Sequence, residues 1–258
     1  MPLPLAAIVS AGLAWLGWRA HSLTPSGAGA AWTVGTLVLY GSGWRGGAVL
    51  AAFFIGSNLV SRAGRKSAPE PFDAKPDRRD LRQVYANGAP GALGALIGRA
   101  DPVLGLWILT ASLAAAAADT WATSFGLRSR ATPRLLAFGG PVPPGTSGGV
   151  TLAGSVAALA GAAVVSATGA MAAERVWLLP LGTLVGFAGM VLDSIVGALA
   201  QGRFYCAACD QPSEWRVHRC GNKTELRGGL SWVDNDGVNL VATSLAALVA
   251  LVLWRTLD

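Results

Sequence analysis

The chain has 258 residues, is 52% hydrophobic and only 13% charged, and has a mean hydropathy of +0.47. A soluble domain carries roughly 25% charged residues, so this balance excludes an ordinary soluble protein and points to an all-α integral membrane protein. The formal charge of +6 invites a nucleic-acid reading, but the cations are clustered as topology markers, and no nucleic-acid partner is expected.

Taken in chain order, the first apolar stretch, 3–18, has no basic region before it and no small-x-small cleavage site. It reads as a retained helix rather than a signal peptide. Stretches 28–40, 46–60 and 87–100 are short and Gly-rich, whereas 102–118, 149–173, 176–199 and 238–254 approach or exceed the roughly 17–25 residues that cross a bilayer. The expectation is one polytopic helical bundle over 1–258 with about eight transmembrane helices, seven or nine being compatible. Continuous runs of Ala, Leu, Val and Gly, without strand-like alternation, argue against a β-barrel. Gly94-x-x-x-Gly98 and Gly182-x-x-x-Gly186 read as close helix-packing pairs.

The expected connections on one side are 61–86, 120–148 and 200–235. Fifteen of the twenty Lys and Arg fall there, with seven in 61–86, three in 126–140 and five in 200–231. The positive-inside rule makes this face cytoplasmic, in an inner or cytoplasmic membrane, with both termini outside. Trp18, Trp44, Trp121, Trp177 and Trp254 lie near predicted helix ends, as an interfacial belt requires. In the first connection "SRAGRK" brings Arg62, Arg65 and Lys66 to this face, where they either mark topology or hold a phosphate. "YANGAPG", with Asn87 and Gly88, reads as a turn leading back into the membrane.

Four short stretches carry the candidate chemistry. In "AAAAADTWATSFG" a buried-type alanine helix ends at Asp119 and Thr120. In "PVPPGTSGGVT" the turn Gly145-Thr146-Ser147-Gly148-Gly149 runs into the next helix, which would present backbone N–H groups beside the positive end of a helix dipole. It is not a P-loop, because no Gly-Lys dipeptide occurs in the chain; Thr146 or Ser147 would serve equally as an ordinary N-cap. In "GFAGMVLDSIVGALAQ" Asp193 is an ionisable group inside an apolar span, which marks a pathway, a proton relay or a metal. The plainer alternative is a neutral Asp bonded to Ser194. In "SWVDNDGVNLVATS" Asn235, Asp236 and Asn239 open the last helix. Hard oxygen ligands suit Mg²⁺, so Asp119, Asp193 and Asp236 are the candidate ligands of a metal-nucleotide complex.

Cys206-x-x-Cys209 and His218-x-Cys220 place three thiols and an imidazole within fifteen residues, which suits a structural Zn²⁺ site, with free thiols as the alternative. A redox role is disfavoured because no thioredoxin-like strand pattern surrounds the pair.

"ADTWATSFG", "PVPPGTSGGVT", "VLDSIVGALAQ" and "SWVDNDGVNL", in this order and each near a helix boundary, resemble the integral membrane family called domain of unknown function family 92, over about Ser57 to Ser244. That family includes transmembrane protein 19 and phytyl-phosphate kinase. The resemblance implies a membrane kinase that transfers the terminal phosphoryl group of a nucleoside triphosphate, CTP being one candidate donor, to an isoprenoid monophosphate. On that reading Asp119, Asp193 and Asp236 hold Mg²⁺ and do the catalytic work. Thr146, Ser147 and the amides of Gly148 and Gly149, with Gly145, Thr120, Ser194 and Gln201 beside them, meet phosphates. Arg62, Arg65 and Lys66 hold the acceptor phosphate, and Asn87, Asn235 and Asn239 orient these groups. Membrane lipid, nucleotide and isoprenoid phosphate are then the partners, and a homodimer is left open. Ser124 departs from the family pattern, which has a glutamate there, and the Cys-rich loop is not part of that pattern. The rival functions are a transporter or flippase for an anionic lipid or small anion, a lipid-phosphate cytidylyltransferase, and a structural scaffold.

Overall fold

The structure is a computed structural model that describes residues 1–65, 78–136 and 138–257. Seven helices are assigned among them: α1 (Leu3–Arg19), α2 (Pro25–Arg65), α3 (Leu81–Ile97), α4 (Pro102–Gly126), α5 (Leu152–Ala173), α6 (Leu178–Ala200) and α7 (Asn235–Leu257). Five of them, α2, α4, α5, α6 and α7, are long and apolar enough to cross a membrane. Short strands decorate one end: β1 (Arg134–Leu135) pairs with β2 (Gly149–Val150), and β3 (Arg203–Cys206) is flanked by β4 (Gln211–Ser213) and β5 (Glu225–Gly228), all antiparallel.

α2 is two rods rather than one. Gly43 has φ +61° and ψ −153°, a conformation that essentially only glycine adopts. In a straight helix residues 38 and 46 would be about 12 Å apart along the axis. Here a Cβ at Gly46 would stand 3.1 Å from Val38 Cγ1, and one at Gly47 would stand 2.8 Å from Leu39 Cδ2. The chain therefore folds back, and Arg62 returns to the α1–α2 turn, where it donates to Ser22 Oγ at 3.0 Å. With α2 counted as two rods there are eight helical segments among the described residues, but the helices long and apolar enough to cross a membrane number five, fewer than the eight expected.

α4 is the central rod. Every residue from Gly105 to Ala118 is buried, as a helix apolar on all sides should be. It starts at Pro102 after an Asp101 N-cap, whose carboxylate accepts from Val103 N and Leu104 N. α2, α3, α5, α6 and α7 all pack on it, while α1 lies outside against α2. Small residues set these contacts. An added Cβ would meet Ile108 Cγ2 at 2.2 Å from Gly94, Ala114 Cβ at 2.7 Å from Gly186, and Ala115 Cβ at 2.5 Å from Gly189. At the end away from the strands, Trp107, Trp177 and Trp254 cluster, and Trp107 Nε1 donates to Ala250 O at 2.8 Å.

Four expectations about the elements are corrected. The helix carrying Asp119 does not stop there: nothing in 120–126 breaks it, so α4 continues to Gly126 and the connection starts at 127 rather than 120. "YANGAPG" is helix rather than turn, since Asp80 caps α3 by accepting from Gln83 N at 2.9 Å and Gly88 is needed for approach to Val34. The first connection accordingly runs between Arg65 and Leu81. The Gly-rich turn does not open a helix directly, because β2 intervenes and the N-cap of α5 is Thr151, whose hydroxyl accepts from Gly154 N at 3.0 Å. Trp121 belongs to no interfacial belt: its ring sits in the gaps left by Gly56 and Gly161.

Replacing Gly43 by Ala should lower stability by about 1–3 kcal/mol. No atom lies within 4 Å of the added Cβ, so the cost is backbone strain alone. Thermal unfolding in detergent measures it, and an unchanged midpoint would show that the fold-back tolerates an L-residue there.

Candidate functional site

α4 and α6 run in the same direction and touch through glycine and alanine. Gly186 meets Ala114 and Gly189 meets Ala115. Four residues further along each helix, one turn on, stand Asp193 and Asp119, so the two carboxylates share one depth at the strand-bearing end of the bundle. Both are partly buried, and each makes polar or electrostatic contacts. Thr120, beside Asp119, donates its hydroxyl to Ala116 O at 2.9 Å.

α7 runs the opposite way against the same pair of helices. Ala246 lies 3.8 Å from a Cβ placed on Gly189. Ten residues of α7 separate Ala246 from Asp236, and four of α6 separate Gly189 from Asp193. At 1.5 Å per residue, Asp236 is about 9 Å closer to the end of the bundle than Asp193. A cation held directly by all three carboxylates at one depth is therefore not what the helices set up: Asp119 and Asp193 form the pair, and Asp236 stands above it. Asn235 is the first residue of α7, and Asn239 is buried with its amide donating to Asn235 O at 3.0 Å. On α3, Asn87 likewise donates to Gln83 O at 2.9 Å. Thr243 ties α7 to α3 by donating to Ala86 O at 2.7 Å.

The Gly-rich segment reaches this place from the side. Gly148 has φ +79°, and a Cβ there would stand 2.6 Å from both Ser194 O and Ala198 Cβ. The loop thus lies against the turn of α6 that carries Asp193 and Ser194. Ser147 Oγ donates to the buried Gln201 Oε1 at 2.7 Å. Several of the expected phosphate donors are engaged within the loop: Thr146 N and Thr146 Oγ1 both donate to Pro143 O, and Gly149 N donates to Thr146 O. Gly145 has φ +87°, a left-handed conformation that suits glycine in this turn.

Of the expected cation cluster, only the Arg62 side chain is described. Arg62 is bound to Ala20 O and Ser22 Oγ at the α1–α2 turn, away from α4 and α6. Arg65 is the last residue of α2, and Lys66 lies outside the described residues. A cation that sequence reasoning missed is Arg82, whose guanidinium is 2.8 Å from Asp234 Oδ2. Asp234 was missed as well, although it caps α7 by accepting from Gly237 N at 2.9 Å. An Asp just before an apolar helical run was the available signal.

The cysteines and His218 do come together. The ligand atoms of Cys206, Cys209, His218 and Cys220 all lie within 4.8 Å of one another, and the three cysteines are free thiols. His218 Nδ1 is 3.1 Å from Cys220 Sγ. Hydrogen bonding from His218, then from the backbone and side chain of Asn222, draws the Cys220 thiol down to about 6, while its bond to Cys220 leads the rise of Cys209 to about 11.

Replacing Gly148 by Ala combines a positive φ with a clash against α6. The connection over 127–149 should lift off and be cleaved by protease on the order of tenfold faster, equivalent to about 1.4 kcal/mol of local stability. Cleavage at the parental rate would show that the loop is not held by this contact.

The family model described as integral membrane protein DUF92 matches residues 8–247. Protein PGR of Arabidopsis thaliana is 29% identical, covering 97% of this chain and 95% of its own length. An uncharacterized membrane protein of Methanocaldococcus jannaschii is 30% identical over 87% of this chain and 82% of its own. Protein VTE6, chloroplastic, of Arabidopsis thaliana is 24% identical over 90% of this chain and 66% of its own. No solved structure matches the chain.

Proposed function

The chain belongs to the DUF92 family of integral membrane proteins, and from that premise we propose that it is a membrane-embedded polyprenyl monophosphate kinase. The observation that carries this reading is the shared depth of Asp119 and Asp193 on α4 and α6, with the Gly148 loop against the same turn of α6. Family membership supports the coarser statement, a phosphotransferase acting on an isoprenoid phosphate; the phytyl-type acceptor and a CTP or ATP donor are the finer proposal.

In the reaction a nonbridging oxygen of the lipid monophosphate attacks the γ-phosphorus of the nucleotide. The bond from that phosphorus to the β–γ bridging oxygen breaks, and the nucleoside diphosphate leaves with the electron pair. An acceptor phosphate is already nucleophilic, so the protein must chiefly position two anions and neutralise their charge. Two carboxylates at one depth offer the hard oxygen donors that Mg²⁺ takes, and Asp119 and Asp193 would hold it. Mg²⁺ would supply the charge that lets two phosphates approach. Asp236 and Asn235, nearer the surface, would meet the nucleotide, while Ser147 and Gln201 keep the Gly148 loop seated. The lipid-exposed groove between α6 and α7, about 310 Å³ and lined by Leu184, Val185, Leu192, Leu245 and Val249, gives the apolar tail a place that ends one residue from Asp193. The positive-inside rule places the strand-bearing end in the cytoplasm, where nucleotide is available, and both termini outside.

Purified protein in detergent with Mg²⁺, γ-labelled CTP or ATP and a panel of prenyl monophosphates should yield labelled lipid diphosphate. Asp193→Asn and Asp119→Asn should each lower the rate on the order of 100-fold with unfolding midpoints unchanged. A nucleotidyl lipid with released pyrophosphate would identify a cytidylyltransferase instead. Unchanged lipid that crosses the bilayer of proteoliposomes would identify a transporter.

A further inference from the structure

The connection from α6 to α7 holds its shape with almost no apolar interior. Within 201–234 the buried residues are Gln201, Gly202, Phe204, Cys206, Ser213 and His218, and Phe204 is the only large hydrophobe among them. Trp215, Val217, Leu226, Leu230 and Trp232 are exposed. A segment this short cannot be stabilised by hydrophobic burial of that extent, and folded units of such size normally need a disulfide or a metal. Three thiols cannot all pair, and Cys206 Sγ and Cys220 Sγ, 3.7 Å apart, are far beyond the bonding distance of about 2.05 Å.

We propose that Cys206, Cys209, His218 and Cys220 bind a structural zinc ion that closes this module over the ends of α6 and α7. A tetrahedral site with Zn–S bonds of about 2.3 Å sets its sulfurs about 3.8 Å apart, which matches the Cys206–Cys220 separation. The ligands sit on two tight turns. Cys206 ends β3 and Cys209 precedes Asp210, whose φ is +53°. His218 and Cys220 precede Gly221 at φ +87°, where Gly221 N donates to His218 O at 2.8 Å and His218 N donates to Asn222 O at 2.9 Å. No atom stands within 4 Å of a Cβ on Gly221, so glycine is there for the turn and not for space. A second observation points the same way: His218 is only 3% exposed and presents its Nδ1 to the thiols, 3.1 Å from Cys220 Sγ.

The placement gives the metal a mechanical role. Leu230 N donates to Ala200 O and Gly202 N to Val233 O, both at 2.9 Å, so bonds just outside β3 and β5 tie the end of α6 to the residues just before α7. Arg216 adds bonds to Ser231 O at 2.8 and 3.2 Å. Zinc binding at the far end of the same strands would keep the entry of α7, with Asp234, Asn235 and Asp236, at a constant distance from α6. This inference does not depend on the kinase reading, since the zinc is a structural clip remote from any phosphate.

The full chain, purified in detergent without chelator, should contain zinc at one ion per chain by elemental analysis. Cobalt exchange should give the intense visible bands of a tetrahedral site together with a thiolate charge-transfer band. Cys206→Ser and Cys209→Ser should each lower zinc content at least about tenfold, and a strong chelator should make 201–234 cleavable by protease in the wild-type chain. Folded wild-type protein that holds no zinc and shows three freely reactive thiols would overturn the proposal, as would zinc content undiminished in both variants. The cobalt spectrum and the wild-type stoichiometry decide the matter even if a variant fails to fold.

Discussion

The seating of α6 and α5 on α4 through glycine and alanine is the contact on which everything else depends. In a bilayer, apolar side chains gain little by leaving lipid for protein, so helices associate only as far as their backbones can approach and pack. Gly186 and Gly189 against Ala114 and Ala115, Gly161 against Trp121 and Gly169 against Thr110 let α4 disappear into the centre of the bundle. A larger side chain at these positions would push helices apart over their whole length, because rods transmit a displacement from one end to the other.

The candidate site inherits its geometry from that contact. α4 and α6 are parallel, so a register set at Gly189 and Ala115 is carried forward to Asp193 and Asp119 one turn later. The same register leaves an apolar groove between α6 and α7 on the lipid side. A carboxylate and an apolar surface thus lie on adjacent faces of a single helix. Asp236 escapes this register because α7 runs the other way, and its depth is governed by how far the chain between Ala200 and Asn235 carries it.

That connection is built on a different principle from the bundle. Inside the membrane, many small contacts hold the helices; outside it, a short segment with one buried aromatic has too little surface to bury. Backbone bonds to the end of α6 and to the residues before α7 hold it instead, and its thiols and imidazole gather at the far end. The Gly148 loop, pressed on Ser194 and linked through Ser147 to Gln201, joins the two regimes at the last turns of α6.

What the sequence determined by itself was whatever depends on composition and local spacing. Its runs of apolar residues marked it as a helical membrane protein, although fewer of the helices are long enough to span than those runs suggested. Gly94, Gly182 and Gly186 were legible as packing positions, the Cys-x-x-Cys and His-x-Cys spacings as a cluster, and Asp193 as an anomaly within an apolar span. The tertiary structure alone decided what depends on direction and depth: that Gly43 folds α2 back on itself, that α4 runs two turns beyond Asp119, and that Arg62 is used by the α1–α2 turn. It also decided that Asp119 and Asp193 are level while Asp236 is not. The physical reason is that a sequence records which groups can pair and how often the helix repeats, but which groups share a depth is set by the relative direction and sliding register of packed helices, and no single segment encodes that.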